Sequence, residues 1–192
     1  MSVAAVILAG GGGSRFNGDD PGALPGAKLL APMRGKPVVT WAIEAAAEAG
    51  LDELIVVSGA AGLAGIVPAT ATLLYNPDWE SGVATSLQAA LEWCSRQGHQ
   101  AAVIGLGDNP GLRPQAWRDV ATAPGGPLVF ASYRGRRGHP VRLDAEIWPL
   151  LPVRGDEGAR VVARGRPDLV TDVACEGMPI DIDTKEDLRR WS

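Results

Sequence analysis

The chain has 192 residues, 46% of them hydrophobic and 21% charged, a globular balance with enough length to bury one substantial core. A formal charge of -4 and an isoelectric point near 5.2 argue against a nucleic-acid partner, which needs a basic face, and leave small anions held in a local positive pocket. Cys94 and Cys175 lack C-x-x-C spacing, and no apolar run reaches the roughly 20 residues that span a bilayer, so we expect a cytoplasmic protein with neither zinc site nor membrane partner.

Residues 3–8 form a short apolar run that stops at four consecutive glycines, which reads as a buried strand feeding a tight loop. The Gly/Pro-rich stretch 18–26 is the candidate mobile loop. A helix is predicted over 38–49, strands over 53–58 and 71–75, a helix over 80–96, a strand over 101–106, a helix over 115–121 and a strand over 128–131. Trp41, Trp93 and Trp117 are expected on helix faces packed against the sheet, whereas His99 is expected to be exposed. Shorter pieces follow: a strand over 140–143 and helices over 145–150, 157–164 and 184–191. The alternation predicts an α/β fold, a three-layer α/β/α sandwich around a mostly parallel, Rossmann-like sheet. We expect one domain over 1–192, with 1–110 as a nucleotide-binding half and 111–192 as an acceptor-side half.

Ligands of such sheets bind at the carboxyl ends of the strands, and glycines there let backbone N–H groups approach phosphate oxygens. Leu8, Ala9, Gly10, Gly11, Gly12, Gly13 and Ser14 supply those amides, and Arg15 then adds a cation. The dinucleotide fingerprint fails, because Gly10 and Gly12 lead to Arg15 while Gly11 and Gly13 lead to Phe16. The Walker pattern fails too, since Gly35-Lys36 has Leu30 where its first glycine belongs and Pro37 after the lysine.

The order Leu-Ala-Gly-Gly-x-Gly-Ser-Arg, then Lys28-Leu29-Leu30, then Gly35-Lys36-Pro37 before a helix resembles the small nucleotidyltransferases that make dinucleotide forms of the molybdenum cofactor. The resemblance continues through Asn76-Pro77-Asp78-Trp79, Ser81-Gly82, Ser86-Leu87, Gly107-Asp108-Asn109-Pro110 and Asp181-Ile182-Asp183-Thr184. Gly138-His139-Pro140 and Gly155-Asp156-Glu157-Gly158-Ala159-Arg160 resemble the cytidylyltransferase branch, while the opening Leu8-Ala9-Gly10-Gly11 resembles guanylyl-transferring relatives. We weight the longer acceptor-side motifs and expect CTP, with GTP as the alternative. The resemblance implies a glycosyltransferase A-like nucleotidyltransferase sheet, a Mg²⁺ cofactor, a molybdopterin-type acceptor phosphate and a molybdenum hydroxylase as recipient. A monomer or weak dimer is expected.

In the implied reaction an ionised acceptor phosphate attacks the α-phosphorus of the triphosphate, so charge must be managed and no general base is required. Asp108 follows the run 101–106 and should stand at a strand's carboxyl end, where it is the first candidate metal ligand; its alternative is a turn former. Asp183 is the second by resemblance, with Asp181 as its less favoured substitute; a helix N-cap is the alternative for Asp183. Arg15 and Lys28 are assigned to the triphosphate, although residues 17–27, with Asp19 and Asp20, intervene where relatives hold them closer together. Ser81, Gly82, Thr85 and Ser86 open the 80–96 helix, where they serve either the nucleotide or helix capping. His139, Asp156 and Arg160 are assigned to the acceptor, with a loop role for His139 as the alternative. Arg134, Arg136 and Arg137 form either an anion contact or a solvated hairpin tip. Rival readings are a guanylyltransferase for molybdopterin or a phospholactate-type acceptor and, from another class, a noncatalytic maturation protein for a molybdenum enzyme.

Overall fold

All seven residues of strand β1 (Val3–Ala9) are buried, because the strand is covered on both faces. A computed structural model describes residues 1–18, 22–178 and 180–192; within the expected mobile loop, Asp19, Asp20 and Pro21 lie outside the described residues. Around β1 the chain adds α1 (Ser14–Asn17), α2 (Ala27–Leu30), the small hairpin β2 (Pro32–Met33) and β3 (Lys36–Pro37), then α3 (Val38–Ala49). There follow β4 (Glu53–Ser58), β5 (Thr72–Tyr75), α4 (Val83–Gln97), β6 (Ala101–Leu106) and α5 (Pro114–Thr122). The last part comprises β7 (Leu128–Tyr133), β8 (Arg136–Asp144), α6 (Arg160–Gly165), β9 (Val170–Ala174) and α7 (Lys185–Trp191).

The main sheet has the order β5-β4-β1-β6-β8-β7-β9. Pairings β5-β4, β4-β1, β1-β6 and β7-β9 are parallel, and β8 alone runs against its neighbours β6 and β7. Successive side chains of a strand point to opposite faces, and β1 obeys this. Val3, Ala5, Ile7 and Ala9 pack with Val39, Ile43 and Ala46 of α3 and with Trp117 and Val120 of α5. Ala4, Val6 and Leu8 pack with Leu87, Leu91 and Cys94 of α4 and with Val162 of α6. The three-layer, mostly parallel architecture follows from this division.

The differences from the sequence reading have local causes. The helix expected from residue 80 starts at Val83, because Trp79–Ser81 is a 3-10 turn and Gly82 sits at φ 105 against the Gly155 backbone. The helix expected from 157 starts at Arg160, after Gly158 at φ 51. Residues 145–150 are a 3-10 helix with Pro149 inside it. Strand β8 extends beyond 140–143 through the polar residues from Arg136 to His139, and β9 is a half-exposed edge strand without an apolar run. Trp117 is fully buried on the sheet, but Trp41 packs with Phe16, Met33 and Ile182 in a separate cluster and donates its Nε1–H to the Met33 carbonyl. His99 is buried, not exposed: its ring lies 2.8 Å from Ser2 Oγ and 2.7 Å from Glu53 Oε2. Burial of an imidazole requires such partners for both nitrogens.

Candidate active site

Parallel strands β1, β4 and β6 end on one rim, and the glycine run leaves β1 there. A Cβ on Gly10 would lie 2.7 Å from Ser86 Oγ, and one on Gly12 would lie 2.8 Å from the Trp79 ring, so both positions are kept small by close packing. The Gly12 carbonyl accepts from Gly26 N–H at 2.8 Å, which ties the loop to the entry of α2. Gly11 has nothing within 4 Å of its Cβ position and faces a cavity of about 470 Å³. Leu8, Gly10 to Gly13, Ser14, Trp79, Gly82, Ser86 and Asp156 are among the residues lining it.

Beside that loop four charges converge from three parts of the chain. Lys28 Nζ lies 2.5 Å from Asp108 Oδ2 and 3.4 Å from Asp183 Oδ1, and Arg15 Nη1 lies 3.3 Å from Asp183 Oδ2. Asp108 is placed by the end of β6, where Gly107 N–H bonds the Leu8 carbonyl, and by its own carbonyl, which accepts from Ile182 N–H. Asp183 does not cap α7: Thr184 does so in a capping box with Asp187, which leaves the Asp183 carboxylate to the two cations. Asp181 points instead to Asn109 Nδ2 at 2.7 Å; burial, then the charges of Asp108 and Asp183, push its carboxyl up. Among the described residues no group of three or more His, Cys, Asp or Glu side chains could hold a metal ion. Two convergent carboxylates nevertheless suit Mg²⁺, which is bound through one or two carboxylates with the remaining positions taken by water and phosphate oxygens.

At the cavity's far wall, Asn76 Nδ2 donates to Thr85 Oγ1 at 2.8 Å and to Ser86 Oγ at 2.9 Å. The first amides of α4 are engaged as well: Val83 N–H donates to Asp156 Oδ1 and Ala84 N–H to the Gly155 carbonyl, while Gly155 N–H returns a bond to Ser81 O. Asp156 therefore sits on the helix N-terminus as an anion does. Ser86 and Gly82 line the cavity, whereas Ser81 holds the 155 loop through its carbonyl.

A second cavity, of about 520 Å³, adjoins the first and shares Leu8, Val83 and Asp156 with it. Its floor is apolar, with Leu87, Ile104, Phe130 and Leu143, and its rim carries Arg137, His139, Arg160 and Arg164. His139 opens partly on this cavity, with Nδ1 at 3.2 Å from the Ile104 carbonyl; burial holds its imidazole below the ordinary value, so the ring is neutral near pH 7. Arg137 is paired bidentately with Asp172, and Arg164 with Glu157 at 2.6 Å. Arg134, at φ 52, and Arg136 occupy the exposed β7–β8 hairpin tip. Trp79, which lines the first cavity, and Asn76, which holds the lining residue Ser86, have no role that the sequence alone assigns, although both stand in the Asn-Pro-Asp-Trp motif.

Residues 5–170 match the model of the MobA-like NTP transferase domain. Nicotine blue oxidoreductase from Paenarthrobacter nicotinovorans is 34% identical, covering 98% of this chain and 95% of its own. The crystal structure of Rv0371c from Mycobacterium tuberculosis H37Rv superposes with a TM-score of 0.82 at 28% identity, over 100% of this chain and 97% of that one. The complex of Rv0371c with manganese gives a TM-score of 0.78 at 26% identity, over 100% and 98% of the two chains.

Proposed function

The chain belongs to the MobA-like NTP transferase family, and from that premise we propose that this nucleotidyltransferase moves a nucleoside monophosphate from CTP to the terminal phosphate of a molybdopterin-type acceptor. A bond forms between an acceptor phosphate oxygen and the α-phosphorus, the bond from the α-phosphorus to its bridging oxygen breaks, and pyrophosphate leaves. The observation that carries the reading is the Lys28 ammonium held between Asp108 and Asp183 beside the glycine loop.

Asp108 and Asp183 would hold Mg²⁺, which supplies positive charge at the reacting phosphate. That a relative's structure is a manganese complex supports a divalent ion here. The loop amides from Gly10 to Ser14 orient the triphosphate, with Gly11, open at its Cβ position, allowing close approach, Leu8 and Ala9 contributing as the paired strand end behind them, and Arg15 and Lys28 taking up its charge. Trp79 and Ser86 wall the nucleotide cavity. The adjoining chamber takes the acceptor: an apolar floor suits a ring system, Arg160 at the rim offers a cation to its phosphate, and neutral His139, whose Nδ1–H is used on the Ile104 carbonyl, presents Nε2 as a hydrogen-bond acceptor. Each chamber borrows from both halves of the chain, since Asp156 lines the first and Leu8 and Val83 line the second.

The test is Mg²⁺-dependent pyrophosphate release with CTP or GTP, with and without molybdopterin. Release with CTP only when the acceptor is present is expected; release with GTP moves the assignment to the guanylyl alternative, and none with any nucleotide supports a noncatalytic maturation role. The relative named as an oxidoreductase favours one further reading, oxidation–reduction in the same two chambers. Consumption of NADH or NADPH with nicotine blue, and no pyrophosphate release, would select it. The Lys28, Asp108 and Asp183 cluster favours phosphoryl chemistry, because hydride transfer has no need of paired carboxylates.

A further inference from the structure

Resting on the nucleotidyltransferase reading, we infer that Asn76 is a positioning residue: it fixes the Ser86 hydroxyl as a hydrogen-bond donor toward the nucleobase, so the site selects a base with an acceptor atom at that point. Asn76 is buried at the end of β5, and each of its polar groups has a partner. Its backbone N–H donates to the Ser58 carbonyl at 2.9 Å. Its Oδ1 accepts from the Asp78 N–H at 3.0 Å, which fixes the amide, because a flipped one would set two donors against each other. Both Nδ2 protons are then used, one on Thr85 Oγ1 at 2.8 Å and one on Ser86 Oγ at 2.9 Å. Each hydroxyl is thereby an acceptor toward Asn76 and must turn its own proton elsewhere. Thr85 has the Asp78 and Gly82 carbonyls, at 3.0 and 2.9 Å. Ser86 has no acceptor among the described residues, and it lines the cavity of about 470 Å³, so its proton faces that cavity.

The loop is polarised, and this places the base. Arg15 and Lys28 stand with Gly13 and Ser14 at one end of it. Ser86 Oγ lies at the other end, 2.7 Å from the Gly10 Cβ position, beside Trp79. Asp156 holds the Val83 N–H one turn before Ser86, and its charge disfavours phosphate there. The polyphosphate therefore belongs at the Gly13 end and the uncharged base at the Gly10 end, against Ser86 and Trp79. Any side chain at position 10 would cover the hydroxyl, whereas glycine leaves it open. Cytosine offers O2 and N3 as acceptors, and guanine offers O6 and N7.

The experiment titrates the α,β-methylene analogues of CTP and GTP, and inorganic tripolyphosphate, into the unaltered chain, Ser86→Ala, Asn76→Asp and the double variant, with thermal melts to establish folding. Ser86→Ala is expected to weaken the preferred analogue about tenfold and to leave tripolyphosphate affinity as it was. In Asn76→Asp one carboxylate oxygen still accepts from Asp78 N–H and the other accepts from Ser86, so the serine proton turns inward and its lone pairs face the base acceptor. The analogue then weakens at least as much. Adding Ser86→Ala to Asn76→Asp removes that repulsion and should restore affinity about threefold, a reversal of sign between the two backgrounds. A role for Asn76 in structure alone gives the same loss from Ser86→Ala in both, and that result overturns the inference, as does an equal loss of tripolyphosphate affinity. Should Asn76→Asp not fold, Asn76→Ala takes its place: the hydroxyl is then unheld, and the loss from Ser86→Ala should shrink to about twofold, an undiminished loss overturning the inference. Failure of the unaltered chain to bind either analogue or tripolyphosphate sinks the nucleotidyltransferase reading itself, whereas intact binding without the change between backgrounds sinks this inference alone.

Discussion

Gly11→Ala separates the fold from the phosphate cradle more cleanly than any other change in the loop. At Gly10 and Gly12 an added methyl strikes Ser86 Oγ at 2.7 Å or the Trp79 ring at 2.8 Å, so binding and stability would fall together. At Gly11 the methyl meets nothing within 4 Å, and the backbone lies outside the positive-φ region that disfavours alanine. Stability should therefore be unchanged or rise by about 0.4–1 kcal/mol, because alanine restricts the unfolded chain more than glycine does. The same methyl projects into the cavity where a phosphate oxygen must come within about 2.9 Å of a backbone N–H. Losing one hydrogen bond to a charged group costs about 1.5–3 kcal/mol, or roughly tenfold to a hundredfold in Kd. Differential scanning fluorimetry reads the first quantity and calorimetric titration with the α,β-methylene analogue of CTP the second. A clear fall in melting temperature, or unaltered nucleotide affinity in a folded protein, would refute the reasoning.

Asp108→Asn should lower Mg²⁺-dependent turnover by about a thousandfold, the equivalent of about 4 kcal/mol of transition-state stabilisation, in a chain that circular dichroism shows to be folded, with some loss of melting temperature because Lys28 keeps only Asp183 as a charged partner. An active variant removes Asp108 from the metal site. Gly105→Ala should destabilise by about 1–3 kcal/mol in urea unfolding, since its Cβ would lie 2.6 Å from the fully buried Trp117 ring; an unshifted midpoint would show that the indole relaxes freely. Burial depresses the His139 imidazole, so the folded chain binds fewer protons at this group than the unfolded chain below the ordinary value of about 6.5. Stability is then lost as pH falls from about 6.5 toward the folded value, and this group adds no slope above that window. His139→Gln should flatten that acid slope in unfolding measurements and raise the KM for acceptor more than that for nucleotide; the opposite split places His139 in the nucleotide chamber.

Strand cores were legible because buried parallel strands leave short apolar runs: 53–58 and 101–106 coincide with β4 and β6, and the helix over 38–49 with α3. The edge strand β9 was not, since its residues are half-buried or exposed and carry no such run. In the site, Asp108 was readable as a residue just past a buried strand. Asp183 rested on resemblance alone, because an acid before Thr184 also fits a helix cap, and only the Thr184–Asp187 capping box releases it toward Lys28 and Arg15. The engagement of the α4 amides by Gly155 and Asp156 was not readable at all. It joins segments more than 70 residues apart, through backbone bonds of Gly155 that carry no residue-type signature and through an Asp156 carboxylate whose partner, a backbone N–H, carries none either.

One reversed strand brings the two chambers together. The ends of β1 and β6 define the rim where the glycines and Asp108 stand, and a further parallel strand beside β6 would deliver its carboxyl end to that same rim. Because β8 is antiparallel, its amino end arrives there instead: with Ile104 opposite Val141, the residues before Pro140 run on toward Leu106 and the rim. The β7–β8 register then slips, Phe130 facing Val141 but Ala131 facing Gly138, so His139 and Pro140 form a bulge. A bulge bends its strand and re-aims the side chains on it, and here it accompanies an imidazole facing the second cavity. Leu8, Val83 and Asp156 are left as the wall shared by the two cavities, across which, on the proposed reading, an acceptor phosphate would meet the α-phosphorus. A parallel β8 would reverse that placement, carrying its Arg142–Asp144 end to the rim and His139 to the opposite edge of the sheet.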